Sequence, residues 1–292
     1  MSQTPPPSPF TDLDRPPLRA RALTTALTGP DGAWRAVEVV AETGSTNADL
    51  AVRAAAGEPE GLVLVADHQR SGRGRLARQW SAPVRSAISV SVLLRPGGIP
   101  AERLGWIPLL GGVAVVDALR ERCGLPARLK WPNDVLVPRD GLPEDPRDGK
   151  VCGVLAEVVP GTPVPAIVLG VGINVTQTRA ELPVPTATSL RLAGSAVTDR
   201  DTVLRAYLRA LAVRYRAFVD AAGDPRRSGI GAAYREACAT LGMRVEVQLP
   251  GDDRVRGRAQ EVDEDGRLVV LVEQTGGPVF RPFAAGDVVH LR

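Results

Sequence analysis

The fold class this sequence predicts is α/β (α+β): a domain of interleaved strands and helices followed by a small all-β barrel. Two observations carry that expectation. Between residues 34 and 240, short apolar runs of period two interleave with stretches of helical period. Beyond residue 240, short apolar runs are separated by turn signals at Pro250-Gly251, Asp265-Gly266, Gly276-Gly277 and Gly286-Asp287. A third observation concerns function. Polar segments stand at the ends of the predicted strands, where α/β sheets gather their ligands.

Taken in order, residues 1–33 are proline-rich with little periodicity and read as a loosely ordered extension holding one short helix near 18–27. The main domain spans 34–240 and the barrel 241–292. Residues 37–41 read as a strand and 43–47 as a turn. Thr46, with Asp49 three residues on, resembles a capping box that opens a helix over 47–56. Residues 62–66 and 88–92 alternate as strands on either side of a polar loop. A helical stretch over 101–122 is interrupted by Pro108 and Gly111-Gly112. A turn at 130–134 leads into a short strand, then a polar loop over 138–149 to which no role attaches. Strands follow at 151–159 and 166–175. An amphipathic helix over 199–221 puts Leu204, Tyr207, Leu211, Tyr215 and Phe218 on one face, and a shorter helix covers 231–240. The barrel strands are expected at 244–249, 267–273, 279–283 and 288–291.

Composition narrows the function. Apolar residues make up 44% and charged residues 24%, which is ordinary for a globular enzyme. The net charge of +3 is spread among acids and gives no basic stripe for nucleic acid. No apolar run approaches the ~20 residues that cross a bilayer, and residues 1–17 lack a signal core. Three cysteines and two histidines without ligand spacing argue against zinc and fit a reducing cytoplasm.

The loop at 69–80 is the most informative segment. It packs two glycines, four arginines after Gln69, and Trp80 into a short polar stretch. Glycines let backbone amides approach an anion, arginines bring forked permanent cations, and the indole offers a face for a nucleobase. Neither a P-loop nor a dinucleotide fingerprint occurs in it. Three more segments supply chemistry: Ser45-Thr46-Asn47, Asn133-Asp134 with Lys150 beyond, and Gly170 to Asn174. No Ser-His-Asp set or carboxylate pair stands out, which disfavours hydrolysis. Cations, a stacking ring and one carboxylate suit nucleotidyl or phosphoryl transfer.

In T-G-S-T-N at 43–47, Gln69 with G-R-G-R at 72–75 and Trp80, K-W-P-N-D at 130–134, K-V-C-G at 150–153 ahead of Glu157, and G-V-G-I-N-V at 170–175, the chain resembles the biotin–protein ligases of the type without a DNA-binding domain. The resemblance covers roughly 34–292 and implies a class II synthetase-like catalytic domain with an SH3-like C-terminal barrel. It implies two steps: ATP and biotin give biotinyl-5′-AMP, and a lysine of a biotin carboxyl carrier domain of acyl-CoA carboxylase or pyruvate carboxylase then takes the biotin. It further implies that Lys150 and Arg75 act on the two anions that must meet. Ser45, Thr46, Asn47, Gln69, Arg73, Gly74, Arg75, Lys150 and Gly153 would bind biotin. Arg73, Arg75, Arg78, Trp80, Asn133, Lys150 and Asn174 would bind the nucleotide, with Asp134 for Mg²⁺. Arg75-Leu76-Ala77-Arg78 departs from the R-R-G-R that often follows G-R-G in the family, which bears on how the loop closes. Relatives of this type include monomers and homodimers.

Other readings stay open on sequence. Octanoyl transferases and lipoate ligases share the fold, and in that rival reading Lys150 and Cys152, two apart on a strand, share one face with the thiol as nucleophile, whereas the preferred reading of Cys152 is a small buried hydrophobe. A repressor reading lacks a recognition helix in the proline-rich lead. A catalytically dead biotin-binding module would keep no reason for its charged motif residues. Gly170 and Gly172 are expected to serve close packing, and His68 and His290 to be bystanders.

Overall fold

A seven-stranded mixed sheet in the order β1-β2-β5-β9-β8-β7-β6 forms the centre of the larger part. In this computed structural model, residues 14–29, 32–76, 78–139, 148–162, 164–249, 253–274, 277–284 and 286–291 are described. Much of the 138–149 loop and the first 13 residues of the extension thus lie outside the described residues. Only β1 (Ala36–Val40) and β2 (Leu62–Ala66) run parallel, joined by helix α2 (Thr46–Ala55); every other neighbour is antiparallel. The remaining strands of this sheet are β5 (Ala87–Leu94), β6 (Arg128–Lys130), β7 (Asp134–Val137), β8 (Gly149–Val159) and β9 (Ala166–Asn174). A two-stranded ribbon, β3 (Gly72–Arg73) and β4 (Gln79–Trp80), rises from the polar loop.

One face of the sheet is covered by helices. α3 (Trp106–Cys123) is buried on nearly all sides, which its apolar sequence requires. α4 (Arg200–Asp220) lies beside it and presents Val203, Leu204, Tyr207, Leu208, Leu211 and Phe218 to the core. The expected interruption of α3 does not occur. Pro108 falls in its first turn, where an N–H has no intrahelical partner to lose. Gly111 lies where the helix crosses β8 and β9, so a Cβ there would stand 3.2 Å from Leu169. α1 (Ala20–Thr28) adds Leu23 and Leu27 to this core, so the described part of the extension is packed rather than loose.

The opposite face is divided. Over one half, α2 lays Leu50 and Ala54 on Leu62, Leu64, Leu93 and Val168 as a separate apolar cluster. Past the N-terminus of α2 the same face is built mostly of small residues, Leu155 excepted. In register across the strands stand Leu155, Gly170 and Ser91, then Gly153, Gly172 and Ser89. The sequence thus covers half of this face and leaves the other half a shallow floor of glycine and serine.

The barrel is a five-stranded antiparallel sheet, β13-β12-β11-β10-β14, with β10 (Arg244–Gln248), β11 (Arg254–Val262), β12 (Leu268–Val272), β13 (Val279–Phe283) and β14 (Asp287–His290). β11 was not among the expected strands: its alternating Arg254, Arg256 and Arg258 interrupt the apolar pattern, but each is the outward member of a paired strand. Trp106 and Trp131 donate their indole N–H groups to Glu264 O (2.8 Å) and Gly266 O (3.3 Å), fixing the β11–β12 turn to the larger part. A fifth helix, α5 (Ile230–Ala237), precedes the barrel.

Candidate active site

Above the glycine–serine floor lies a cavity of about 660 Å³, roofed by the 69–80 loop and bounded on one side by β14 of the barrel. Ser45, Thr46, Asn47, Gln69, Arg73, Gly74, Arg75, Arg78, Trp80, Asn133, Asp134, Lys150, Gly153 and Asn174 all line it, so the structure brings every sequence-expected site residue together.

At one end, a hydrogen-bonded cluster is built by α2 and β5. Ser45 caps the helix by accepting from Ala48 N at 3.4 Å, so the cap is Ser45 and not Thr46. Freed from capping, Thr46 donates both its amide (2.8 Å) and its hydroxyl (3.0 Å) to Gln69 Oε1. Ser91, fully buried on β5, donates to Thr46 Oγ1 (2.7 Å) or to Asn47 Oδ1 (2.6 Å). Asn47 Nδ2 in turn donates to Glu157 Oε2 at 2.6 Å. Neither Ser91 nor Glu157 stood among the expected site residues. The alternation at 88–92 marked Ser91 as one face of a strand, but not that this face opens onto a cavity.

Gly170 and Gly172 serve close packing, as expected. A Cβ on Gly170 would lie 2.1 Å from Asn47 Oδ1, and one on Gly172 2.4 Å from Cε2 of Trp80. The Trp80 indole therefore rests on bare backbone at Gly172, with Gly153 beside it. Gly72 is required for the same kind of reason, because a Cβ there would meet Trp80 O at 2.4 Å across the ribbon.

The cations gather toward the other end. Lys150 Nζ lies 2.6 Å from Asp134 Oδ1. Burial lowers the pKa of Arg75, opposed by the nearby charge of Asp134; its guanidinium donates to Asn133 Oδ1 (3.3 Å) and Gly286 O (3.4 Å). Arg78 pairs with Asp287 of β14, and Arg73 is exposed with Glu157 Oε1 at 4.0 Å. The two asparagines are tied into the walls. Asn133 Nδ2 donates to Val154 O (3.0 Å), and Asn174 holds Thr188 O (2.9 Å) and Gln177 Nε2 (2.8 Å). Lys130, the first residue of the 130–134 turn, is a further half-buried cation of the cavity; burial lowers its pKa, with Asp134 opposing.

The expected pairing of Lys150 and Cys152 on one face fails. A register shift opposite Val135 and Leu136 inserts an extra residue into β8, so Lys150 and Gly153 share the cavity face. Cys152 turns into the core with no exposed surface, and burial pushes its thiol well up. A thiolate nucleophile has neither access nor stability there. His290 lies outside the cavity lining, beside Thr240 Oγ1 at 3.1 Å, and His68 meets Glu42 at 2.9 Å. Among the described residues no group of three His, Cys, Asp or Glu could hold a metal by itself. Asp134, the carboxylate expected to meet Mg²⁺, is engaged by Lys150. No helix of the described residues is long and apolar enough to cross a membrane.

Comparison with known proteins agrees with this geometry. Residues 40–174 match the biotin/lipoate A/B protein ligase family, and residues 240–291 match the biotin protein ligase C terminal domain. The biotin--[acetyl-CoA-carboxylase] ligase of Mycobacterium tuberculosis is 44% identical over 97% of this chain and 100% of its own length. The bifunctional ligase/repressor BirA of Bacillus subtilis is 30% identical over 82% of this chain and 69% of its own. Among solved structures, the biotin protein ligase of Aquifex aeolicus in complex with biotin and ATP superposes with a TM-score of 0.70, at 27% identity, over 88% of this chain and 100% of that one. A mixed-sheet catalytic domain, a cation-rich cavity on its glycine floor and an SH3-like C-terminal domain thus agree with whole-length similarity: the chain belongs to the biotin protein ligase family.

Proposed function

We propose that this chain activates biotin with ATP and transfers it to a lysine of a biotin carboxyl carrier domain in the cytoplasm. In the first step a biotin carboxylate oxygen bonds to the α-phosphorus, the bond to the β-phosphate oxygen breaks, and pyrophosphate leaves. In the second, a neutral lysine amine attacks the acyl carbon, the bond to AMP breaks, and the amine releases a proton.

The observation that carries this reading is the polarity of the cavity along its length. At one end Thr46, Asn47, Gln69 and Ser91 present neutral donors and acceptors, which suits an uncharged cyclic urea that would lose ~1–3 kcal/mol for each group left unpaired. Toward the other, Lys150 and Arg75 supply the positive charge that would offset two anions brought together. Lys150 would exchange Asp134 for the carboxylate and α-phosphate, and the backbone of 73–75 would hold the carboxylate. Trp80 would stack on adenine, while Asn133 and Asn174, already hydrogen-bonded, would shape the nucleotide wall. Arg78 would leave Asp287 for phosphate. Asp134, once released by Lys150, would be the carboxylate to hold Mg²⁺, which would offset the negative charge of the nucleotide phosphates.

The test is ATP–pyrophosphate exchange, run with biotin, lipoate and octanoate, on wild type and Lys150→Ala. Exchange that needs biotin and vanishes in the variant supports the reading. Exchange with lipoate instead overturns the substrate but keeps the chemistry.

A further inference from the structure

Beside the roof of the cavity, and outside its lining, two charged side chains are buried. Arg200, the first residue of α4, is 5% exposed, and Asp67, just past the end of β2, is 8% exposed. Arg200 Nη1 lies 2.8 Å from Asp67 Oδ1. Burial lowers the Arg200 pKa and Asp67 opposes that. A charge pair so far from water is costly unless its remaining donors and acceptors are filled, and here they are filled by chain that frames the roof.

Arg200 donates to Ala87 O (3.4 Å) and to Pro16 O (2.6 Å). Asp67 accepts from Leu18 N (3.4 Å) and lies 3.6 Å from Arg85 Nε, while its backbone carbonyl accepts from Arg85 N at 2.9 Å. Asp67 is two residues ahead of Gln69, and Ala87 opens the strand that leaves the roof. Both feet of the 67–87 loop are therefore clasped by a single guanidinium. The N-terminal segment lies across them as a strap. Arg15 extends it to Glu181 Oε2 (2.7 Å) and Thr176 O (3.2 Å), and Thr176 N donates to Ser86 O at 2.9 Å. Thr176 follows Asn174 by two residues, so the strap joins the loop to the segment that leads out of the nucleotide wall.

We infer that Arg200, paired with Asp67 and tied to the N-terminal strap at Pro16 and Leu18, is a positioning residue for the ligase reaction proposed above: it fixes both feet of the roof so that Gln69 and the 73–75 backbone stand ready at the substrate. A planar fork with several fixed donors suits this task, because one side chain must serve a carboxylate and two carbonyls from three separate stretches of chain. The role is orientation of the biotin-contacting loop, and Arg200 itself touches no substrate.

The loop carries its own reporters, since trypsin cuts after Arg70, Arg73, Arg75 and Arg78, and exposed Arg226 and Arg227 provide a control site far from it in the chain. Arg200→Met, Arg200→Lys and Asp67→Asn would be compared with wild type in the full chain, without ligand and below the melting transition. The expected result is loop cleavage at least tenfold faster in Arg200→Met and Asp67→Asn, unchanged cleavage at 226–227, and partial rescue in Arg200→Lys. In biotin-dependent pyrophosphate exchange, KM for biotin should rise about tenfold with kcat within threefold. Folded variants whose loop cleavage and KM stay within twofold of wild type would overturn the inference, as would equal acceleration at both sites. Should Arg200→Met fail to fold, Asp67→Asn decides alone, because it keeps the shape and one acceptor oxygen. A wild type that exchanges with a different acid would sink the biotin reading while leaving the cleavage ratio to judge Arg200.

Discussion

Lys150, Ser91 and Cys152 lie on two strands of one sheet and have three different fates. Lys150 emerges beside Asp134 at 2.6 Å, and Lys150→Ala should lower biotin-dependent pyrophosphate exchange by ~10²–10³-fold, the usual cost of removing one charge-stabilising donor. Ser91 has no exposed surface and bridges Thr46 and Asn47. Ser91→Ala leaves those two partners competing for water in a confined space, so biotin binding measured by calorimetry should weaken by ~1–3 kcal/mol with little change in the nucleotide KM. Cys152 is a small core side chain, and Cys152→Ala should keep pyrophosphate exchange within about twofold, with a stability loss of ~1 kcal/mol read from denaturant unfolding. A dead Cys152→Ala enzyme that still folds would contradict the inward orientation seen here.

At the level of elements, the floor of the cavity is the stretch where β5, β8 and β9 carry serine and glycine in register. Gly172→Ala places a methyl 2.4 Å from the Trp80 ring, so the indole must lift. The expected outcome is a nucleotide KM raised about tenfold, with biotin binding changed much less, measured by varying ATP and biotin separately in the exchange assay. Much of this site was legible in the sequence because its parts lie at strand ends and carry residue types that a core would not use: Gln69, Arg75, Lys150 and Asn174 announce themselves by polarity. The unread parts share a physical reason. Ser91 and Glu157 matter through which face of a strand is left uncovered, and that depends on where α2 stops. The extra residue in β8 shifts alternation by one, which period-two counting cannot register. β11 hides its pairing behind arginines that point outward, and the strap at Arg15 to Arg19 hides its anchoring behind prolines.

Across the whole molecule, the barrel and the larger part meet at a half-buried histidine. His290 sits by Thr240 Oγ1, which also accepts from Trp131 N at 3.0 Å. Burial, reinforced by the charges of Lys130 and Arg128, pulls the imidazole down to about 4 from an ordinary 6.5. A folded-state pKa below the unfolded one means that the unfolded chain takes up the proton first. This contribution to stability is therefore whole above pH ~6.5 and is lost progressively as pH falls toward ~4. Denaturant midpoints of wild type and His290→Gln should differ in pH slope across that window and run parallel above pH ~7. Equal slopes would show that the seam does not sense the proton.

The glycine floor has one more consequence. A surface made of backbone offers nothing for a point substitution to remove; it can only be obstructed, at Gly170 by Asn47 and at Gly172 by Trp80. A lineage that altered its acid substrate would have to do so from the side chains at 46, 47, 69 and 91, while the glycines of the floor stayed blank. The bare strands then work as a fixed gauge of depth, and the freedom to evolve resides in the rim.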